Sequence, residues 1–99
     1  MTFPLSVSGK TILVSGAASG IGRACAIKFA EAGARLMLLD FDEEGLYQTV
    51  EMLHGEEHTP FCCDITDDAA LSEVVKEIAE KSGQIHGMVQ SAGISQTRP

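Results

Sequence analysis

The feature that most constrains the fold is a glycine-rich segment at positions 12–23, which reads Ile-Leu-Val-Ser-Gly-Ala-Ala-Ser-Gly-Ile-Gly-Arg. A short apolar run ends at Ser15, glycines follow at positions 16, 20 and 22, and an alanine-rich helical pattern runs from Ile21 to Ala32. Glycine permits turn conformations that other residues resist, and it lets a ligand approach the backbone. A helix that begins at such a loop offers N–H groups and a partial positive charge to an anion. The segment therefore predicts a binding site for the phosphates of a nucleotide.

Four short apolar runs alternate with three helical patterns along the 99 residues. The runs are Thr11–Ser15, Arg35–Asp40, Thr59–Cys63 and Gly87–Ser91. They are almost continuously apolar, as expected of parallel strands that are covered on both faces. The alternation predicts an α/β fold with a doubly wound, Rossmann-like parallel sheet in the order 3-2-1-4, which stops before a fifth strand. We expect residues 1–99 to be the N-terminal part of a single domain of this type.

Each helical pattern carries a predicted apolar face and ends near a glycine that suits the left-handed position after a helix. We expect Thr66 to be the N-cap of the third helix, ahead of two acidic residues. The predicted faces are Ile21, Cys25, Phe29 and Ala32, then Leu46, Val50 and Leu53, then Leu71, Val74, Val75 and Ile78, and the terminal glycines are Gly33, Gly55 and Gly83.

Charge and composition exclude several classes of partner. The formal net charge is −7 and the chain has no basic patch, so we expect no nucleic-acid binding through phosphate neutralisation. No apolar stretch is long enough for a membrane span, and the N-terminus has no basic leader region, so we expect neither membrane insertion nor secretion. The three cysteines are an odd number without a Cys-x-x-Cys pair, which favours a reducing cytoplasm over a disulfide framework.

Acidic and small residues follow the later strands, at the sheet edge where a doubly wound fold binds its ligand. A carboxylate at Asp40 can accept hydrogen bonds from both ribose hydroxyls of an adenosine and would repel a 2′-phosphate, so NAD is preferred over NADP. The alternatives are a solvated acid at Asp40, a loop acid or helix cap at Asp64, and a simple turn at residues 91–93. The predicted cofactor-binding residues are Gly16, Ser19, Gly20, Ile21, Gly22, Asp40, Asp64, Ile65, Ser91, Ala92 and Gly93.

Two further patterns have simpler explanations than chemistry. The segment from His54 to His58 reads His-Gly-Glu-Glu-His, which matches an inverted zinc-protease motif. That motif needs both histidines on one helix face, and Gly55 marks a helix end, so we favour a solvated loop. The adjacent Cys62 and Cys63 are expected to be small buried apolar residues of a strand.

With these residues in place, the chain resembles the short-chain dehydrogenase/reductase family. The family motif Thr-Gly-x-x-x-Gly-x-Gly corresponds to residues 15–22, with serine in place of threonine. The resemblance implies that Asp40 selects NAD and that Asp64 contacts adenine. The family's Asn-Asn-Ala-Gly corresponds to Gln-Ser-Ala-Gly at residues 90–93, a departure at both asparagines. It also implies a homo-oligomeric parent enzyme that transfers hydride between nicotinamide and a small alcohol or carbonyl substrate.

The family's catalytic Tyr-x-x-x-Lys pair has no counterpart in these 99 residues. The one tyrosine, Tyr47, is followed four residues later by Glu51. A carboxylate there would raise the pKa of a tyrosine, which is opposite to what catalysis needs. We therefore expect the chain to bind NAD without turnover, as part of a dehydrogenase. The alternatives are a truncated, non-catalytic dinucleotide-binding module and, with a poorer match to the glycine loop, a methyltransferase.

Overall fold

A computed structural model describes residues 7–90, which form four strands and three helices in strict alternation. The fourth strand was expected to reach Ser91, which lies outside the described residues. No helix within residues 7–90 is long and apolar enough to cross a membrane. The elements are β1 (Thr11–Ser15), α1 (Gly20–Glu31), β2 (Arg35–Asp40), α2 (Glu43–Met52), β3 (Thr59–Cys62), α3 (Asp68–Ser82) and β4 (Gly87–Gln90).

The strands form one parallel sheet in the order β3-β2-β1-β4. Val14 of β1 is in register with Leu38 of β2 on one side and with Val89 of β4 on the other. The predicted α/β class and strand order are thus confirmed. Winding reverses between β1 and β4, so the crevice of a doubly wound sheet lies at the carboxyl end of β1.

The two central strands, β1 and β2, are buried on both faces of the sheet, and successive residues of each strand point to opposite faces. Ile12 and Val14 of β1 pack with Leu36 and Leu38 of β2 in the cluster that also contains buried residues of α1 and α2. The other face places Leu13, Met37, Leu39 and Phe61 in a second cluster with Ile78 of α3. Helices on both sides explain why the strand sequences are almost continuously apolar.

Helix α1 buries a different face from the one predicted. Its buried residues are Gly22, Ala26 and Ala30, whereas the predicted stripe has Ile21 exposed and Phe29 only partly buried. The two stripes are offset by one residue, or about 100° around a helix. Small side chains let the helix approach the sheet closely, while Phe29 packs at the margin of the cluster. Large apolar residues were therefore a misleading guide to the buried face.

The other two helices match their predicted faces, but the turns around them need correction. Ile78 is fully buried in α3. The N-cap of α3 is Asp67 rather than Thr66, because the Asp67 carboxylate accepts hydrogen bonds from two N–H groups of the first turn. Gly55 has a positive φ, but α2 ends at Met52, so Gly55 belongs to the following loop.

Histidine side chains cap two strands at the amino end of the sheet. His58 immediately precedes β3, and its Nδ1 accepts the N–H of Leu36 at 3.2 Å. His86 immediately precedes β4, and its Nδ1 accepts the N–H of Thr11 at 3.0 Å. The backbone N–H of His86 donates to the Thr11 carbonyl. Each imidazole thus supplies an acceptor to the neighbouring strand at the end of a parallel ladder.

We expect His86→Leu to lower the free energy of unfolding by about 1 kcal/mol, since the Thr11 N–H loses its acceptor. His86→Asn is the matched control, because the amide oxygen can occupy the position of Nδ1 and keep the bond. Urea unfolding followed by circular dichroism measures both variants. Equal losses for leucine and asparagine would contradict the capping role.

Candidate functional site

The glycine loop joins β1 to α1 at the carboxyl end of the sheet. Gly16 and Gly20 have φ values of 71° and 57°, in the left-handed region that other residues adopt at a cost. A Cβ on Gly20 would meet nothing within 4 Å, so its backbone conformation, and not space, requires glycine there. Gly22 has a different role, because it lies on the buried face of α1.

The N-terminus of α1 lacks the caps that the other two helices have. Ser19 occupies the N-cap position and makes no side-chain cap hydrogen bond, and the first turn contains no acidic residue. By contrast, Asp42 caps α2, which has two acidic residues in its first turn, and Asp67 caps α3, which has one. The first N–H groups of a helix have no intrahelical acceptor and carry partial positive charge. The start of α1, at the predicted residues Ser19, Gly20 and Ile21, therefore presents backbone N–H groups and partial positive charge without a side-chain cap.

Asp40 lies beside this loop, at the end of β2. Its Oδ2 accepts the N–H of Ala18 at 3.0 Å, and its Oδ1 accepts the N–H of Asp42 at 3.0 Å. A carboxylate has about four acceptor positions, so each oxygen can accept one further bond. The half-buried carboxylate is thus held rigidly next to the helix N-terminus with capacity for two hydroxyl donors.

Asp64 and Ile65 follow β3 on the same edge of the sheet. Cys62 is in register with Asp40, and the Cys63 N–H donates to the Asp40 carbonyl, so this segment lies beside the end of β2. The Asp64 Oδ1 accepts hydrogen bonds from the Thr66 hydroxyl at 2.6 Å and from the Thr66 N–H at 3.0 Å. These two bonds, the hydroxyl first, lower the pKa of Asp64.

A polar cluster between α1 and α2 supports the loop, and the sequence reasoning missed it. Arg23 donates from Nε to the Thr49 hydroxyl at 2.8 Å and from Nη2 to the carbonyls of Ala18 and Gly45. The buried Thr49 hydroxyl donates to the Ala17 carbonyl at 2.7 Å. We call Arg23, Gly45 and Thr49 the loop clamp. The available sequence signal was a glycine and a threonine one helical turn apart, at positions 45 and 49.

Gly45 allows α2 to touch the loop. A Cβ at this position would lie 3.0 Å from the Ala18 carbonyl oxygen, 3.0 Å from the Ala18 Cβ and 2.6 Å from the Asp42 Oδ2. These distances are shorter than ordinary van der Waals contacts, and one of them is to backbone. Gly45 is therefore a packing glycine of the site, although it lies outside the glycine motif.

The second histidine of the His-Gly-Glu-Glu-His segment bonds to the backbone. His58 uses both ring nitrogens, since Nδ1 accepts from Leu36 and Nε2 lies 2.7 Å from the His54 carbonyl. Within residues 7–90 no group of three potential ligands is close enough to hold a metal ion. These histidines line a cavity of about 350 Å³ at the opposite end of the sheet from the glycine loop. The cavity therefore has no part in the candidate site.

The two adjacent cysteines differ, and the expectation that both are buried was half wrong. Cys63 is buried, and burial followed by the charge of Asp64 raises the pKa of its thiol. Cys62 is exposed, and its Sγ lies 3.5 Å from the Phe41 carbonyl. Neighbouring strand residues point to opposite faces, and here only one of those faces is covered near the end of β3.

The structure thus brings the glycine loop, Asp40 and the segment at Asp64 and Ile65 to one edge of the sheet. Ile65 also lines a smaller groove of about 180 Å³ whose wall includes Ser15 and Gln90 at the ends of β1 and β4. The remaining predicted residues, Ser91, Ala92 and Gly93, lie outside the described residues. A glycine loop at the reversal point of a parallel sheet defines a Rossmann-type fold.

Comparison with known proteins identifies the family. The family described as short chain dehydrogenase matches residues 10–99. D-threitol dehydrogenase of Mycolicibacterium smegmatis is 37% identical over 99 residues, which cover 98% of this chain and 38% of that protein. The chain belongs to the short-chain dehydrogenase/reductase family, and it spans about 38% of the length of that curated relative.

Solved structures of family members have the same architecture. A short chain dehydrogenase/reductase from Burkholderia phymatum in complex with NAD gives a TM-score of 0.79 at 34% identity, over 85% of this chain and 31% of its own. A 3-ketoacyl-(acyl-carrier-protein) reductase from Brucella melitensis, complexed with NADH, gives 0.76 at 30% identity, over 84% and 34%. The predicted family resemblance is confirmed.

Gly45→Ala tests the contact between α2 and the loop. Alanine normally stabilises a helix by about 1 kcal/mol relative to glycine. Here we expect a loss of about 1–3 kcal/mol instead, because the new Cβ overlaps the Ala18 backbone. Gln48→Ala, an exposed position of the same helix, is the control and should change the unfolding midpoint little. A rise in the denaturation midpoint for Gly45→Ala would contradict the close contact.

Thr66→Val tests the cause of the lowered pKa of Asp64. Removing the hydroxyl should raise that pKa toward the usual value for aspartate, whereas Thr66→Ser should preserve most of the shift. Carboxyl-carbon NMR titration measures it. A lowered folded pKa means that the Asp64 contribution to stability is complete above the unfolded pKa and is lost as pH falls through the folded pKa. An unchanged titration in the valine variant would exclude the hydroxyl as the main cause.

Proposed function

We propose that residues 1–99 are the N-terminal, NAD(H)-binding part of a single Rossmann-type domain. The parent protein is an oxidoreductase that transfers hydride between nicotinamide and an alcohol or carbonyl substrate. The observation that carries the proposal is the Asp40 carboxylate, which is hydrogen-bonded to the glycine loop beside an uncapped helix N-terminus. That arrangement supplies partners for a ribose and for a phosphate within one loop.

The phosphate-binding part of the proposal concerns the start of α1. Gly16, Ser19, Gly20, Ile21 and Gly22 would hold the pyrophosphate, because backbone N–H groups and the helix dipole favour an anion. Family members solved with NAD or NADH support a nicotinamide dinucleotide as the ligand. When bound, that cofactor would supply the hydride acceptor or donor.

Asp40 supports NAD over NADP. Each of its oxygens accepts one backbone N–H and can accept one ribose hydroxyl as well. A 2′-phosphate would place a second negative charge against this carboxylate.

Adenine binding is assigned to the ends of the other strands. Asp64 and Ile65 follow β3 next to Asp40, and we place adenine beside them. Ser91, Ala92 and Gly93 follow β4 in the sequence, so we assign them to the same crevice. Thr66 holds one Asp64 oxygen, which favours the ionised carboxylate as an acceptor for an amino group.

Proton transfer to the substrate is assigned to a part of the parent outside these residues. Tyr47 is about half exposed on α2, and Glu51 lies one helical turn away. The chain by itself would therefore bind NAD without oxidising or reducing a substrate. The identity of the substrate depends on the rest of the parent protein.

Asp40→Asn tests the cofactor assignment by calorimetry on the 99-residue chain. The wild-type chain should bind NAD more tightly than NADP. Asparagine keeps an acceptor oxygen for the Ala18 N–H and removes the charge. The ratio of the NAD affinity to the NADP affinity should therefore narrow at least tenfold, or by about 1.4 kcal/mol. Glu44→Gln removes the same charge from the nearby, exposed first turn of α2 and should leave the ratio unchanged. Tighter binding of NADP than NAD by the wild type would refute the role of Asp40.

A further inference from the structure

We propose that Arg23 and Thr49 are positioning residues for the dinucleotide, because they fix the orientation of two consecutive peptide groups in the glycine loop. This inference deepens the proposed function and rests on it for the identity of the ligand. It assigns a role to a helix-to-helix contact that lies beneath the predicted site.

Residues of the loop clamp donate a hydrogen bond to each carbonyl from Ala17 to Ser19. The Ala17 carbonyl accepts from the Thr49 hydroxyl, and the Ala18 carbonyl accepts from the Arg23 guanidinium. The Ser19 carbonyl accepts from the backbone N–H of Arg23 at 3.3 Å. Arg23 therefore holds the carbonyls on both sides of the Ser19 Cα.

Peptide planarity converts these bonds into directions for the N–H groups. In a trans peptide the C=O and the following N–H point in opposite directions. Thr49 holds the Ala17 carbonyl on one side, and the Ala18 N–H of the same peptide reaches Asp40 on the other. By the same rule, a guanidinium bonded to the Ala18 carbonyl directs the Ser19 N–H away from Arg23, toward the exposed side of the loop.

Arg23 also places a positive charge beneath the phosphate site. Its three side-chain partners are a hydroxyl and two carbonyls, all neutral. Within residues 7–90 the ion pairs are Arg35 with Glu57 and Lys81 with Glu77, so no described carboxylate forms an ion pair with Arg23. A half-buried cation next to the start of α1 adds to the helix dipole and favours an anion there.

A purely structural role for Arg23 would join α1 to α2 and nothing more. Loss of such a structural contact would lower the apparent affinity for every ligand in proportion to the loss of folded protein. A positioning role makes two different demands. The Ser19 amide must change its environment in the ligand-free chain, and ligands with phosphate must lose more affinity than adenosine.

The experiment compares Arg23→Met with Lys28→Met in the 99-residue chain. Methionine keeps an unbranched stem and removes the charge and the donors, and Lys28 is an exposed cation of the same helix. Amide NMR without ligand reports the Ser19 environment, and calorimetry reports affinity for NAD and for adenosine. We expect Arg23→Met to shift the NMR resonance of the Ser19 amide and to weaken the binding of NAD about tenfold more than that of adenosine. Lys28→Met should change neither the resonance nor the two affinities.

Two more pairs of variants separate the effect of peptide orientation from that of the Arg23 charge. They also provide a test if one variant does not fold. Thr49→Val should shift the Ala18 amide and weaken NAD, and Thr49→Ser should restore both, since serine keeps the hydroxyl. Arg23→Lys keeps the charge, so it should retain more NAD affinity than methionine does. If Arg23→Met does not fold, the Thr49 pair decides the proposal by the same two readouts.

The outcomes distinguish the two proposals. An unmoved Ser19 amide in Arg23→Met, or equal losses for NAD and adenosine, would overturn the positioning role and leave NAD binding intact. Failure of the folded wild-type chain to bind NAD would overturn the proposed function. In that case the amide shifts would still report whether the clamp orients the loop.

Discussion

The peptide groups of the glycine loop need hydrogen-bond partners, and the packing of the neighbouring elements depends on that need. Between Ser15 and Gly20 the chain leaves a parallel strand and enters a helix, and the peptide groups in between need partners. The described partners come from the elements that pack against the loop, which leaves its exposed side open. The Leu39 carbonyl, Asp40, Thr49 and Arg23 supply them from three separate elements.

This need for hydrogen-bond partners explains the packing around the loop. Helix α2 can donate from Thr49 to the loop only if its first turn lies against Ala18, and Gly45 makes that approach possible. Helix α1 lies close to the sheet through glycine and alanine, which keeps Arg23 within reach of α2. Small residues at these contacts are therefore part of the architecture of the site and not only of its core.

Local patterns were sufficient to predict the strands, the strand order and the position of the glycine loop between β1 and α1. Each of these follows from runs of neighbouring residues and from the handedness of parallel connections. The buried face of α1 could not be predicted in this way, because side-chain size favoured Ile21 and Phe29 whereas close packing favoured Gly22, Ala26 and Ala30. At α3 the sequence contains two adjacent capping residues, and the structure uses Asp67, the stronger N-cap type of the two, rather than Thr66.

The loop clamp was hidden from the sequence for a related reason. Arg23 and Thr49 are 26 positions apart, and each belongs to a helix whose orientation depends on the other. An arginine just after a glycine motif also has an obvious alternative, which is direct contact with the phosphate. In the structure its Nε donates to the Thr49 hydroxyl and its Nη2 to two carbonyls, and these contacts require both helices to be in place.

In the proposed function, Asp40 would connect cofactor preference to the shape of the loop. The same oxygen that would accept a ribose hydroxyl also accepts the Ala18 N–H, and its partner oxygen holds the Asp42 N–H at the start of α2. A substitution that admits a 2′-phosphate must therefore also provide an acceptor for the Ala18 N–H. Without that acceptor, the peptide group between Ala17 and Ala18, whose carbonyl accepts from Thr49, loses its fixed orientation. Charge and geometry are thus inseparable at this position, since a neutral residue that removes repulsion without replacing the acceptor would alter the phosphate-binding loop itself.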